Sequence, residues 1–137
     1  MVFQRTYFQF SLRRITLETG GIRMTVLING TVDFKPEDAI RVLPETAQLM
    51  ADTRAQKGCR HYVWSLDPVV PGRIYVHENW ESVEHLRAHL ASHFYTDMLD
   101  ILYQYEIFAT DILKYRIDHC EPVYDDTGTA RADFFTD

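Results

Sequence analysis

An α+β fold with elements in the order β-α-β-β-α-β is predicted by three features of the sequence. A β-branched run is followed by a Pro-led stretch of helical period, two strand-like runs flank a Pro- and Gly-containing turn, and a Ser-led amphipathic segment precedes a last strand-like run. The chain has 137 residues, 46% of them apolar and 25% charged, which is enough for one domain with a sizeable core and too apolar for a disordered chain.

The elements follow in order. Residues 1–23 alternate weakly around Phe8, Phe10 and Leu12 and read as an N-terminal extension, whether an arm, an extra strand or sequence upstream of a start at Met24. From Met24 to Phe34 the β-branched run predicts strand one, and Pro36 opens a helix where a first turn tolerates proline. Ile40, Leu43, Ala47 and Met50 recur at helical spacing, Gly58 supplies a stop, and Pro44 predicts a kink or two shorter helices. Residues 59–67 and 73–80 predict a hairpin joined by Pro68 to Gly72. Period-two alternation puts Tyr62, Trp64, Leu66, Ile74, Val76 and Trp80 on one face, and His61, Val63, Tyr75, His77 and Asn79 on the other.

Ser82 then caps a helix carrying Leu86, Leu90 and Phe94, a second amphipathic piece follows around Met98 and Leu102, and residues 107–119 predict the last strand. This is the split βαβ arrangement of the ferredoxin-like fold, with the domain spanning 24–121 and an acidic tail over 122–137 that has Phe134 and Phe135 as its means of docking. Helices cover one sheet face. The other also carries apolar residues, which predicts a homodimer formed by sheet-to-sheet packing.

Charge and composition exclude several classes. A net charge of −6, with 14 Lys and Arg against 20 Asp and Glu, disfavours a nucleic-acid surface, since phosphate binding requires clustered cations. Cys59 and Cys120 read as reduced thiols, no apolar run approaches the roughly 20 residues of a membrane span, and Gln9, Ser11, Arg13 and Arg14 interrupt any signal-peptide core. A cytoplasmic protein is expected.

Three histidines, His85, His89 and His93, stand at four-residue intervals. On one continuous helix they form a stripe beside the apolar one, at the margin of the buried face. Paired helical histidines suggest zinc, but there is no HExxH motif or cysteine cluster to complete such a site, and no metal is expected. Cys59 and His61, two apart in a strand, would share a side and form a thiol–imidazole pair, although a Cys after a Gly is more often a small packed residue. Glu78 could act as a base or pair with Arg60 or Arg73 across the hairpin, and the pairing is the expectation. No glycine-rich nucleotide-binding motif occurs.

Lys57-Gly58-Cys59-Arg60-His61-Tyr62, Glu78-Asn79-Trp80-Glu81-Ser82 and the segment from His85 to His93 together resemble the antibiotic biosynthesis monooxygenase (ABM) superfamily, most closely its small quinol monooxygenase branch. The resemblance spans about residues 24–119. It implies a dimeric α+β barrel, and a pocket between sheet and helices in which a quinol or polycyclic phenol is oxygenated by O2 without metal or flavin. Carried over by position, it implies His89 or His93 as the proton acceptor and Asn29, Tyr62 and Trp80 as substrate-binding residues. A neutral imidazole suits the acceptor's task. Two other readings stand beside this one. The first is a non-catalytic dimeric module binding a small aromatic ligand. The second is a haem-binding or haem-degrading relative, which Asn29 and Trp80 match but in which Leu99 would occupy the place of the ligating histidine.

Overall fold

The structure, a computed structural model, describes residues 24–136. The expected extension over residues 1–23 lies outside them. Seven elements follow in order: β1 (Thr25–Phe34), α1 (Pro36–Arg54), β2 (Cys59–Leu66), β3 (Arg73–Trp80), α2 (Val83–Leu90), α3 (His93–Leu102) and β4 (Ile107–Ile117). The strands form one antiparallel sheet in the order β2-β3-β1-β4, with helices against one face.

The α+β architecture is the one expected, but the barrel is not formed. β2 and β4 are the free edges of an open four-stranded sheet, with β3 and β1 between them. Closure requires the two edge strands to meet, and four strands of ordinary twist are too few to bring them round.

Strand pairing decides which residues meet the helices. Val26, Ile28, Val32 and Phe34 share the inward face with Ile74, Val76, Glu78 and Trp80 and with Tyr62 and Trp64, because paired residues lie on the same side of a sheet. Val26, Val32, Ile74, Val76, Tyr62 and Trp80 are all buried there, against Ala39 and Val42 of α1, Leu86 of α2, and Met98 and Leu102 of α3. β4 pairs with β1 along almost its whole length but stays exposed. Its close approach depends on Gly30, where an added Cβ would fall 2.0 Å from the Asp111 carbonyl oxygen.

Helix α1 runs unbroken for 19 residues through Pro44, so the expected division does not occur. Its buried stripe is Ala39, Val42, Thr46 and Thr53, one position round from the predicted one, and Ile40 faces solvent. The helix expected to carry Leu86, Leu90 and Phe94 ends at Leu90, and the second amphipathic piece begins earlier than expected, at His93, so that Phe94 belongs to it. The Ser92 hydroxyl donates to the His89 carbonyl at 2.6 Å, closing α2, and Ser92 is also the N-cap of α3. Ser82 caps α2 as expected, its hydroxyl oxygen accepting from the His85 backbone N–H. In the tail the Phe134 ring meets His119 edge-on at 5.3 Å between centroids while staying 75% exposed. The Glu121 carboxylate accepts from the backbone N–H groups of Phe135 and Thr136 and folds the tail on itself.

Gly58 turns the chain from α1 into β2 at φ +78°, and an added Cβ would sit 2.2 Å from the His85 ring. Both the left-handed conformation and the close ring exclude a side chain. Gly58→Ala is therefore expected to cost about 2 kcal/mol of stability, measurable as a lower urea midpoint with the slope unchanged.

Candidate active site

Five segments converge on one buried cluster. Trp80 ends β3, and its indole is wholly buried. Two turns into α2, His89 stacks on that indole at 4.7 Å between ring centroids, with 27° between the planes. Tyr62 of β2 meets the imidazole edge-on at 5.5 Å, and Tyr95 of α3 does so at 6.0 Å. Gln56, in the turn between α1 and β2, places its side-chain oxygen 2.7 Å from His89 Nδ1. Because that oxygen only accepts, Nδ1 carries the proton and the basic lone pair of the neutral ring is on Nε2. Glu78, two residues before Trp80 and so on the same face, accepts a hydrogen bond from the indole Nε1–H at 2.9 Å.

Burial sets the electrostatics. His89 is 1% exposed, and loss of hydration lowers its pKa to about 4, so it is neutral at physiological pH. Burial moves Glu78 the other way, above the ordinary carboxyl range, and the indole N–H offsets part of that rise. The Tyr62 hydroxyl is held well above its usual range, chiefly by burial and then by the charge of Glu78. Burial and the same charge push the Cys59 thiol up to about 11, with Arg54 opposing, so Cys59 is a protonated thiol.

These shifts have opposite consequences for stability. Folded His89 takes up its proton only near pH 4, whereas the unfolded side chain does so near 6.5, so the unfolded state gains protons first as pH falls. The native state loses up to about 3 kcal/mol over that interval. Glu78, with its pKa raised in the folded state, contributes in the opposite sense as pH falls through its folded value. Urea midpoints taken between pH 7 and pH 4 are expected to fall in the unmodified protein and to fall much less in His89→Gln.

Residues 25–100 match the family Antibiotic biosynthesis monooxygenase, more than half of the chain. The chain belongs to the antibiotic biosynthesis monooxygenase family. Solved structures agree on the fold. A Deinococcus radiodurans protein described as a candidate antibiotic biosynthesis monooxygenase superposes with a TM-score of 0.66 at 24% identity, over 73% of this chain and 99% of that one. A Caulobacter crescentus protein described in the same way gives 0.61 at 17% identity, over 73% and 93%. A conserved Methanosarcina mazei protein gives 0.62 at 20% identity, over 68% and 92%. No curated protein matches the chain. Family membership is consistent with a monooxygenase type of activity.

Within this ABM domain, Tyr62, Trp80 and His89 come together, while Asn29 and His93 lie elsewhere. Asn29 pairs with His77 on the outward face and is exposed, whereas its neighbour Ile28 pairs with Glu78 on the inward face. His93 begins α3 beyond the break at Ser92, so it does not continue the stripe. It is exposed, with Nδ1 3.1 Å from the Asp97 carboxylate. His85 lies against the Gly58 turn with Nδ1 3.3 Å from the Ser82 hydroxyl, an anchoring position between α2 and the loop.

Two pairings weighed from the sequence do not form. The thiol–imidazole contact, the less favoured reading of Cys59, is ruled out by a bulge in β2 that puts Cys59 opposite Trp80 and His61 opposite Asn79, on opposite faces of the sheet. Glu78 pairs with neither arginine. Asp33, on the outward face, takes Arg73 in two hydrogen bonds of 2.8 Å, and Arg60 bonds Thr25. Gln56 and Tyr95 are the members of the cluster that the sequence did not single out, because they depend on packing between segments. Glu78 was singled out as a base or an arginine partner, and its parity with Trp80 is the signal that places it in the cluster. Among the described residues no three His, Cys, Asp or Glu side chains are grouped to hold a metal, and no helix is long and apolar enough to cross a membrane.

Proposed function

We propose that this ABM protein is a cofactor-independent monooxygenase that uses O2 to oxygenate a quinol or polycyclic phenol between the sheet and the α2–α3 helices, with His89 taking the substrate proton. The observation that carries the reading is the neutral, tautomer-fixed imidazole stacked on Trp80. Nε2 accepts the phenolic proton, and the Gln56 oxygen steadies the imidazolium that forms. The low pKa of His89 reflects burial beside neutral rings, and a phenolate formed next to it would supply the opposite charge that raises it.

The anion then transfers an electron to O2, the resulting radicals combine, and loss of water leaves a new carbonyl. His89 returns its proton to the peroxide as water leaves. For a phenol whose keto form carries a methylene, one CH2 and one O2 become one C=O and one H2O. For a hydroquinone, one ring C–H carbon takes one oxygen atom, giving a hydroxyquinone and one H2O. Trp80, Tyr62 and Tyr95 provide an aromatic, water-poor wall for a flat substrate. Because the indole and imidazole are buried, the substrate enters by displacement at the α2–α3 junction, where Ser92 separates two short helices.

We also propose a homodimer through the outward sheet face. Leu113 and Tyr115 are exposed there on β4, and Tyr75 on β3. Oxygen uptake by metal-stripped protein given a panel of hydroquinones and anthrones tests the reaction. Uptake with at least one of them is expected. No uptake across the panel, with saturable binding of the same compounds, would favour the non-catalytic binding module.

A further inference from the structure

A concavity of about 310 Å³ lies at the β2 edge of the sheet, lined by Arg54, Arg60, His61, Tyr62, Val63 and His77. No acidic residue lines it, although the chain has 20 Asp and Glu against 14 Lys and Arg.

Its arrangement follows from the irregularity in β2. Cys59 stands opposite Trp80 and His61 opposite Asn79, adjacent positions on β3, so Arg60 is an extra residue in the β2 strand with no partner of its own. Such a bulge re-aims a side chain, and the cleft runs along the β2 edge from this irregularity, lined by the four consecutive residues Arg60 to Val63. The His77 ring stands 5.9 Å from that of His61.

Both guanidinium groups are held from behind. Arg54 donates through Nε to the Tyr62 carbonyl at 2.7 Å, and Arg60 donates through Nη1 to the Thr25 hydroxyl at 3.3 Å. The arginines in ion pairs among the described residues are Arg73 and Arg131, which leaves the charges of Arg54 and Arg60 uncompensated by carboxylates. A fixed guanidinium with free N–H groups suits an oxyanion, and an imidazole adds a further donor.

We propose that this cleft is a binding site for a small organic oxyanion, a carboxylate or a phosphate ester, held by Arg54 and Arg60 with His61 and His77 completing the donor set. The cleft adjoins the Trp80–His89 cluster through Tyr62, which lines both, but its two histidines stand on the outward face, away from His89. His61 and His77 share the outward face with Tyr75, so the cleft borders the proposed self-association surface at its β2 edge, three strand spacings or about 14 Å across the sheet from Leu113 and Tyr115 on β4.

The test is calorimetric titration of the full chain at low ionic strength with inorganic phosphate and, separately, with benzoate. At least one is expected to bind saturably at one site per chain, and the tighter of the two identifies the headgroup. Arg60→Gln, at an exposed position, is expected to weaken that binding about tenfold. Arg54→Lys keeps the charge but loses the fork and is expected to weaken it less, and Lys114→Gln on β4 should leave it unchanged. Three results would overturn the proposal: no saturable binding of either anion, equal affinity in Arg60→Gln, or binding that disappears as the protein is concentrated into the dimer, as followed by sedimentation. The last would assign the cleft to a second copy of the chain.

Discussion

Replacing His89 by glutamine is expected to lower oxygen uptake with any accepted hydroquinone or anthrone at least about a hundredfold, the lower end of what a positioned acid–base group contributes. Glutamine offers hydrogen bonds but cannot take a proton at neutral pH. His93→Ala is expected to stay within about twofold of the unmodified protein, because His93 is exposed and bonded to Asp97 rather than to the cluster. The pair of variants separates the two histidines that the motif alone leaves equivalent. Equal losses in both, with circular dichroism unchanged, would place the proton acceptor at the surface. Because His89 takes up its proton only near pH 4, the acid limb of activity is expected well below the 6.5 of an ordinary histidine.

Trp80→Ala is expected to have the largest effect on stability. The side chain is wholly buried at the centre of the core, and removing a buried large aromatic costs about 3–5 kcal/mol. The substitution also removes the indole N–H that donates to the Glu78 carboxyl, which would be left buried without it. Against a typical total of about 5–15 kcal/mol, little folded protein should remain. Trp80→Phe keeps the stacking surface for His89 and loses only the N–H, so a cost nearer 1–2 kcal/mol is expected. In that variant the Glu78 pKa should rise further, because the indole hydrogen bond is what holds it down. Urea unfolding of both variants measures the difference.

The parts of the fold legible in the sequence were those governed by local period. Alternation along β2 and β3 assigned Tyr62, Trp64, Ile74, Val76 and Trp80 to one face, and the register agrees. Ser82 marked the start of α2 by its capping chemistry. Nonlocal features were not legible. The turn at Ser92 interrupts the four-residue histidine period, so His89 enters the core while His93 is left on the surface, and nothing in the spacing distinguishes one long helix from two short ones. The extra residue at Arg60 likewise reverses the relation of Cys59 to His61 without any glycine to announce it. Gln56 reaches His89 from 33 residues earlier, through packing that no motif encodes. Whether the sheet closes depends on where its edge strands end up relative to each other, and that too is absent from strand order.

Nitrogen-15 NMR of the His89 imidazole, recorded with oxygen excluded while a phenolic substrate analogue is added, reads the proposed transfer of the phenolic proton to Nε2. The free protein is expected to show the Nδ1-protonated neutral tautomer down to about pH 4.5, as burial and the Gln56 oxygen require. On saturation the Nε2 resonance should move toward the imidazolium position, while those of His85 and His93 stay fixed. A His89 imidazole that titrates near 6.5 in the free protein, or an Nε2 resonance unmoved by a saturating phenol, would contradict the account.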